Sequence, residues 1–234
     1  RGPVYLCYPR TVPDKKVDRI TLSPVIPDAL PAVDAKTIDG VADTLIAAER
    51  LLIVAGYTGR YPESVASLVN LAETLCAPVL TGPVWMNFPT NHPLCAGVEQ
   101  ILGSRKGNPC LADADVILVV DYDIPYAAAP GMPGPKANII QFDIDPLTAG
   151  RPLWGRGANT FIKSDSRQLI PALTRAIRPK LTQERQAFFR HRFGNLEQIH
   201  KKQRAEWLEM AVSRAKQRPI SPDWLCHCLA QLIE

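Results

Sequence analysis

The chain has 234 residues, of which 46% are hydrophobic and 21% charged, and its net charge at pH 7 is +4. These proportions are ordinary for a globular protein, and a core of about 150 residues is large enough to fold by itself. No apolar run approaches the ~20 residues that a membrane-spanning helix needs, which excludes an integral membrane protein of that kind. No signal peptide is visible, and the first residue is Arg1 instead of methionine, so we expect an excised or processed piece.

The first 31 residues combine one short strand-like run with many prolines. Residues 4–8 have the apolar and aromatic composition of a strand, and five prolines follow before residue 32. Prolines at this density break both helices and central strands, so they predict a linker. Without a sheet to join, we expect the run at 4–8 to be disordered or to pair with the edge of another copy.

Apolar runs alternate with helical patterns over residues 51–177. Continuous apolar strands that alternate with helices are typical of a parallel sheet with helices on both faces. The sequence therefore predicts an α/β protein with a three-layer, Rossmann-like parallel sheet and a C-terminal helical extension. The predicted strands are 51–55, 77–81, 115–120, 138–144 and 160–163, and the predicted helices are 34–50, 62–76, 98–102 and 166–177.

The positive charge is concentrated near the C-terminus. Residues 175–218 contain 12 lysines and arginines against 4 glutamates, whereas the rest of the chain carries a net charge of −4. Apolar residues recur within this stretch at steps of three and four, as on a helix that packs against a neighbour. Two interpretations stay open, a docked helix with a solvated basic face and a surface that binds nucleic acid or another polyanion.

The six cysteines do not form a disulfide or zinc pattern. There is no C-x-x-C pair and no spacing typical of a small disulfide-rich domain, which favours reduced thiols in a cytoplasmic protein. Cys226, His227 and Cys228 are adjacent, but zinc would need further ligands that the sequence does not identify. Their apolar neighbours favour a core or surface role over metal binding.

Candidate ligand-binding residues follow the predicted strands, because ligands of parallel α/β sheets bind at the carboxyl ends of strands. Gly56 and Gly59 come directly after the first strand, where glycine lets the backbone approach a phosphate and Arg60 could contact a pyrophosphate. A plain tight turn explains the same two glycines. Asp143 and Asp145 lie on one face at the end of a later strand, a pattern that suits a ribose, a divalent cation or simply a turn.

Asp121 and Asp123, which follow the strand at 115–120, allow the same alternatives of a ligand site or a turn.

The sequence contains no G-x-S-x-G, no G-x-x-x-x-G-K-[ST] and no H-E-x-x-H. No combination of nucleophile, base and orienting acid can be assembled from the remaining residues. These patterns alone therefore identify no catalytic site.

Several segments occur in a recognisable order and spacing. They are residues 2–10, 52–56, 71–81, the His-Pro-Leu-Cys-Ala-Gly segment at 92–97, and residues 112–120, 142–146 and 220–225. Together they resemble the central domain of thiamine-diphosphate-dependent enzymes of the acetolactate synthase and 2-oxo acid decarboxylase superfamily. The resemblance implies a sheet of about six strands. It also implies four parts: a remnant of the pyrimidine-binding domain with a linker (1–31), the central α/β domain (32–178), a helical connector (179–218) and the truncated start of the diphosphate-binding domain (219–234).

The resemblance implies a parent enzyme that makes or breaks a carbon–carbon bond next to a carbonyl, with thiamine diphosphate as electron sink and Mg²⁺. In the family, the catalytic glutamate belongs to the N-terminal domain, and the Gly-Asp-Gly motif that holds magnesium belongs to the C-terminal domain. Neither is in this chain, so we expect a non-catalytic fragment that does not hold the cofactor. Its expected partners are the missing domains and, in the parent, other copies in a dimer or tetramer, with no membrane or nucleic-acid partner.

Some members of the family hold FAD in the central domain. Flavin-binding members have Gly-Ala-Arg after the fourth-strand region, whereas this chain has Asp121, Tyr122 and Asp123. A carboxylate that faces a pyrophosphate is repelled by it, which disfavours FAD. A free-standing FAD-, NAD- or ADP-binding module is nevertheless kept as an alternative function. The residues that the resemblance assigns to such a relic nucleotide site are Gly56, Thr81, Gly97, Asp143 and Asp145.

Overall fold

The computed structural model describes residues 33–98, 108–122, 133–145 and 158–232, together with the single positions 5, 7 and 16. Within these residues six parallel strands form one sheet in the order β3-β2-β1-β4-β5-β6. The predicted parallel α/β sheet of about six strands is therefore confirmed. The strands are β1 (Leu51–Ala55), β2 (Val79–Thr81), β3 (Cys95–Val98), β4 (Val116–Val120), β5 (Asn138–Asp143) and β6 (Thr160–Lys163).

Most helices begin behind a residue whose side chain caps the first turn. Asp34, Asn108, Asp165, Thr182 and Ser221 each accept a hydrogen bond from a backbone N–H of the helix that follows. The second helix instead opens on a proline, which loses no hydrogen bond at that position. None of the described helices combines the length and apolar composition that a bilayer crossing requires. The helices are α1 (Ala35–Ala47), α2 (Pro62–Leu75), α3 (Pro109–Asp113), α4 (Ser166–Ile177), α5 (Gln183–Ser213) and α6 (Pro222–Ala230).

The core lies on both faces of the central strands. Every residue of β1 and β4 is buried. Alternate residues point to opposite faces, so Leu51 and Ile53 join a cluster with α1, α2 and α4, whereas Leu52 and Val54 join a second cluster with α3. This double burial explains why the central strands read as unbroken apolar runs.

The predictions differ from the structure at the edge of the sheet. Strand β3 was not predicted, and it pairs with β2 through an irregular register in which Cys95 faces Val79 and Gly97 faces Leu80. The helix predicted over 98–102 is wrong at Val98, which is the last residue of β3, and its other positions lie outside the described residues. The strand predicted over 4–8 also lies outside them, apart from the exposed Tyr5 and Cys7.

Arg192 of α5 attaches this helix to the ends of α1 and α2. Its Nε donates to the carbonyl of Cys76 at 2.9 Å, its Nη2 to Leu75 at 2.5 Å and its Nη1 to Glu49 at 3.2 Å. Carbonyls at helix C-termini have no partner within the helix and carry partial negative charge, so a guanidinium stabilises them. Burial lowers the pKa of Arg192 to about 10, and the side chain stays charged at neutral pH.

Arg185, two turns earlier on the same face of α5, makes a similar contact. Its Nη2 donates to the carbonyl of Ala48 at 2.7 Å, and its Nη1 pairs with Glu49 Oε1 at 3.1 Å. Both arginines also lie over the rings of Phe188 and Phe189, at 4.6 to 5.3 Å from the ring centroids. Positive side chains of the basic stretch therefore form part of the attachment of α5 to the rest of the protein.

The predicted packing of α5 is right for its first half and wrong for its second. Phe189 is buried, and Phe188, Phe193 and Leu196 pack against the core. Farther along, the apolar side chains are exposed. They are Ile199, Trp207, Leu208 and Met210.

Replacing Arg192 by methionine keeps a long aliphatic side chain but leaves three carbonyls without their donor. We expect the free energy of unfolding, measured by urea titration, to fall by about 2 to 4 kcal/mol. Arg190→Met, on an exposed position of the same helix, should change it by less than about 0.5 kcal/mol. Equal effects of the two substitutions would show that the contacts of Arg192 do not hold α5 in place.

Candidate functional site

The candidate site lies where the chain changes direction within the sheet. From β1 the chain adds β2 and β3 on one side, and it then returns to place β4 on the other side of β1. In open parallel sheets the ligand crevice forms at the carboxyl ends of such a pair. Strands β1 and β4 pair in register up to Ala55 and Val120, so Gly56 and Asp121 lie side by side at this point.

Backbone hydrogen bonds continue past the ends of both strands. The N–H of Gly56 donates to Val120 at 3.1 Å, and the N–H of Tyr57 donates to Asp121 at 2.8 Å. Asp121 has a φ of +46°, in the left-handed region that aspartate tolerates better than most residues. The chain therefore turns sharply after β4, directly beside the glycine that follows β1.

Tyr122 fills the space next to that glycine. A Cβ built on Gly56 would lie 2.5 Å from Tyr122 Cδ2 and 2.7 Å from Tyr122 Cβ. A Cβ built on Gly82 would lie 3.3 Å from Tyr122 Cζ. Tyr122 is only 3% exposed, and its carbonyl accepts a hydrogen bond from Gln141 Nε2 at 3.0 Å. Gly56 thus makes room for an aromatic side chain of the same protein.

Gly59 makes room for the loop that follows β2. A Cβ at this position would lie 2.7 Å from the carbonyl carbon of Met86. The N–H of Gly59 donates to Asn87 Oδ1 at 3.0 Å, and Asn87 Nδ2 donates to the carbonyls of Trp85 at 3.0 Å and Gly82 at 3.3 Å. Close approach by other parts of the chain therefore explains both glycines of the G-x-x-G motif.

Carboxylates from three elements meet at this edge of the sheet. Asp121 is 2% exposed, and burial raises its pKa to about 6. A hydrogen bond with Ser166 and the charge of Arg60 lower this pKa, while the charges of Asp143 and Asp165 raise it further. A further negative charge at this edge would therefore be electrostatically unfavourable.

Asp165 is the N-cap residue of α4. Its carboxylate accepts the N–H of Arg167 at 2.9 Å and forms an ion pair with the same guanidinium at 2.5 Å. These hydrogen bonds hold the pKa of Asp165 below its ordinary value. The N-terminus of α4 is therefore occupied by a carboxylate of the chain itself.

The five residues assigned to a relic nucleotide site all lie at the carboxyl edge, in separate places. Thr81 ends β2, and its Oγ1 lies 3.5 Å from the carbonyl of Gly97 in β3. Asp143 ends β5, and its Oδ1 accepts the N–H of Asp145 at 3.1 Å, which is a turn. Adjacent strands are ~4.8 Å apart, so β2 and β5 are roughly 14 Å from each other across β1 and β4. Gly56 lies between the two groups.

Sequence reasoning missed three polar residues of this edge. Asp165 and Ser166 begin a predicted helix, and a capping aspartate before a helix that follows a strand was the signal available. Asn87 lies in an irregular segment and offered no such signal. Among the described residues no group of three or more histidine, cysteine, aspartate or glutamate side chains could hold a metal ion.

Asp121→Asn tests the buried charge. A carboxyl group whose pKa is higher in the folded state stabilises the fold fully only below its ordinary pKa of 3.8, and that stability is lost as pH rises toward about 6. We expect the variant to be more stable than the wild type at pH 7.5, by at most about 3 kcal/mol, and the difference to shrink toward pH 4. Urea titrations at both pH values measure it.

Asp113→Asn is the matched control, because Asp113 is exposed and lies at the opposite edge of the sheet. Its effect should be small at both pH values. An Asp121→Asn protein that is less stable than the wild type at pH 7.5 would show that the Asp121 charge is favourable in the fold.

Comparison with known proteins identifies relatives of one kind. A family described as "Thiamine pyrophosphate enzyme, central domain" matches residues 38–173. The chain is 35% identical over 155 residues to sulfoacetaldehyde acetyltransferase of Rhodobacter capsulatus, covering 64% of this chain and 26% of that protein. It is 30% identical to the probable acetolactate synthase large subunit of Methanocaldococcus jannaschii, covering 64% and 27%. The chain thus spans about a quarter of the length of these relatives.

Solved structures of low sequence identity share the fold. A putative thiamin diphosphate-dependent enzyme from Mycobacterium smegmatis is 24% identical with a TM-score of 0.51, over 67% of this chain and 31% of that one. Benzoylformate decarboxylase from Polynucleobacter necessarius is 21% identical with a TM-score of 0.53, over 70% and 30%. Since the family match covers more than half of the residues, this chain belongs to the central-domain family of thiamine pyrophosphate enzymes.

Proposed function

We propose that the chain is the central, scaffolding part of a larger thiamine-diphosphate-dependent enzyme that acts on 2-oxo acids in the manner of acetolactate synthase. The observation that carries this proposal is the match of residues 38–173 to the central domain in a chain that spans about a quarter of its relatives. The chain itself does not catalyse the reaction. In the proposed four-part division, α5 and α6 fall within 179–218 and 219–234. Residues 1–31 are assigned to a remnant of the preceding domain and a linker.

The described residues do not fit thiamine diphosphate or Mg²⁺. They include no group of three side chains suited to a metal, and the carboxyl edge presents the carboxylates of Asp121, Asp143 and Asp165. Negative side chains repel a diphosphate unless a metal lies between them. In the parent enzyme the cofactor supplies an electron sink for a carbanion next to a carbonyl. Holding it is a role we assign to the other domains.

An exposed apolar surface supports the expected partners. Trp207 is 50% exposed, and Leu225, Leu229 and Leu232 follow one another at steps of four and three, on one face of α6 and just past its end. An ion pair between Arg214 and Asp223 joins α5 to α6. We propose that this surface contacts another domain of the parent enzyme or another copy in its dimer or tetramer. The six free cysteines support a cytoplasmic, reducing compartment.

The basic stretch does not favour the polyanion-binding alternative. Lys180 pairs with Asp43 at 2.9 Å and Asp39 at 3.2 Å, and Arg178 donates to Asn70 at 2.7 Å. Arg185 and Arg192 bind helix carbonyls, as described above. Much of the positive charge therefore has partners within the protein.

Calorimetric titration of the 234-residue chain with thiamine diphosphate and Mg²⁺ tests the division of labour. We expect no saturable heat at millimolar cofactor and no release of CO₂ from pyruvate, because the metal-binding and catalytic groups lie elsewhere. A thiamine-diphosphate-dependent pyruvate decarboxylase assayed in the same buffer shows that the assay works. Saturable binding or turnover by the chain would overturn the proposal.

Two alanine substitutions on α5 test whether the apolar surface is unused within this chain. Phe189→Ala should lower the free energy of unfolding by about 3 kcal/mol or more, because its ring is buried in the core. Trp207→Ala should change it by less than about 0.5 kcal/mol. Urea titration measures both, and a large loss from Trp207→Ala would show that the second half of α5 packs within the chain.

A further inference from the structure

We infer that the ligand crevice of this domain, at the crossover between β1 and β4, is filled by the chain's own Tyr122, so that no dinucleotide binds there. This chain would thereby differ from those members of the superfamily whose central domain holds FAD or ADP. The inference rests on the contacts of Tyr122 at the ends of β1 and β4, so it does not depend on which reaction the parent enzyme catalyses.

The steric contribution comes first. In dinucleotide-binding sheets the glycine after the first strand lets the pyrophosphate approach the backbone. Here the corresponding Gly56 faces Tyr122, whose Cβ and Cδ2 lie 2.7 and 2.5 Å from the position of a Cβ on that glycine. Gly82, after β2, borders the far end of the same ring, with Tyr122 Cζ 3.3 Å from the position of its Cβ. The space that two glycines leave open is therefore used by one tyrosine.

The electrostatic contribution acts in the same direction. A pyrophosphate needs cations and free N–H groups at a helix N-terminus. At this edge Asp121 and Asp165 are buried carboxylates, and Asp165 already caps α4. Arg167 is paired with Asp165 at 2.5 Å. At the start of α4, the N–H group of Arg167 and its guanidinium therefore already have an anion of the chain as their partner.

A series of contacts between aromatic rings and guanidinium groups holds Tyr122 in place. Arg167 lies 4.3 Å from the ring centroid of Tyr61, and Arg60 lies 5.6 Å from Tyr61 and 5.9 Å from Tyr57. The ring of Tyr57 in turn meets Tyr122 edge to face at 6.0 Å. Such contacts are favourable between aromatic rings and between a cation and a ring. Rotation of Tyr122 out of the crevice would break the last contact of this series and leave a void beside Gly56.

A double-mutant cycle tests whether Gly56 is a glycine because of Tyr122. Gly56→Ala should lower the midpoint of thermal unfolding by roughly 3 to 10 °C in the wild type, since the added methyl group overlaps the ring. In a Tyr122→Ala background the same substitution should cost less than about 2 °C. Tyr122→Phe keeps the ring and should preserve the full cost. Equal costs of Gly56→Ala with and without the ring would overturn the inference, as would a negligible cost in the wild type.

Ligand titration gives a second test that does not need the alanine variant to fold. FAD, ADP and NAD⁺ at 1 mM should each shift the unfolding midpoint of the wild type and of Tyr122→Phe by less than about 1 °C, whereas a ligand at 100 times its Kd raises it by several degrees. A saturable shift in the wild type with any of the three would overturn the inference. A shift with thiamine diphosphate alone would contradict the proposed function and, with the Gly56–Tyr122 coupling intact, would leave the filled crevice standing.

Discussion

Five consecutive residue pairs join β1 to β4 in register, from Leu51 with Val116 to Ala55 with Val120. At the amino end the register is held by Asp115, whose carboxylate accepts the backbone N–H groups of Glu49 at 2.9 Å and Arg50 at 3.0 Å. Both strands are buried on both faces, so a slip by one residue would exchange the two core surfaces. The carboxyl-end arrangement, with a glycine beside a tyrosine, follows from this pairing.

Strands that are buried on both sides were predictable from sequence, because their apolar runs are unbroken. Strand β3 was not, since Cys95–Val98 is half-exposed at the edge of the sheet and contains a glycine with φ of +106°. At the site, the sequence indicated that something approaches Gly56 closely, but it could not tell that Tyr122, 66 positions away, is what approaches. Arg185 and Arg192 were counted as part of a solvated basic face, because the sequence does not show which helix ends they meet.

The strand order of this domain is that of ligand-binding α/β proteins, but its own side chains fill the place where a ligand would bind. The topology leaves a crevice at the carboxyl ends of β1 and β4, as in any sheet that changes direction. Locally, this crevice contains the ring of Tyr122, the capping carboxylate of Asp165 and the carboxylate of Asp121, whose pKa is raised by burial. Such a domain needs no ligand to complete its core, which is consistent with the scaffolding role proposed above.

Among the residues that the structure describes, the first half of helix α5 packs against the sheet layers. Near its middle, His200 Nε2 lies 3.3 Å from the carbonyl of Thr90, and residues 201–210 are all exposed. From His200 to its end at Ser213 the helix projects by about 20 Å at 1.5 Å per residue. A tilt of about ten degrees about the anchored part would carry the end of the helix at Ser213 through about 3 Å. A small rotation of α5 about Arg185 and Arg192 would therefore displace its C-terminal end by several ångströms. A displacement of that size is enough to make or break a side-chain contact with a neighbouring domain.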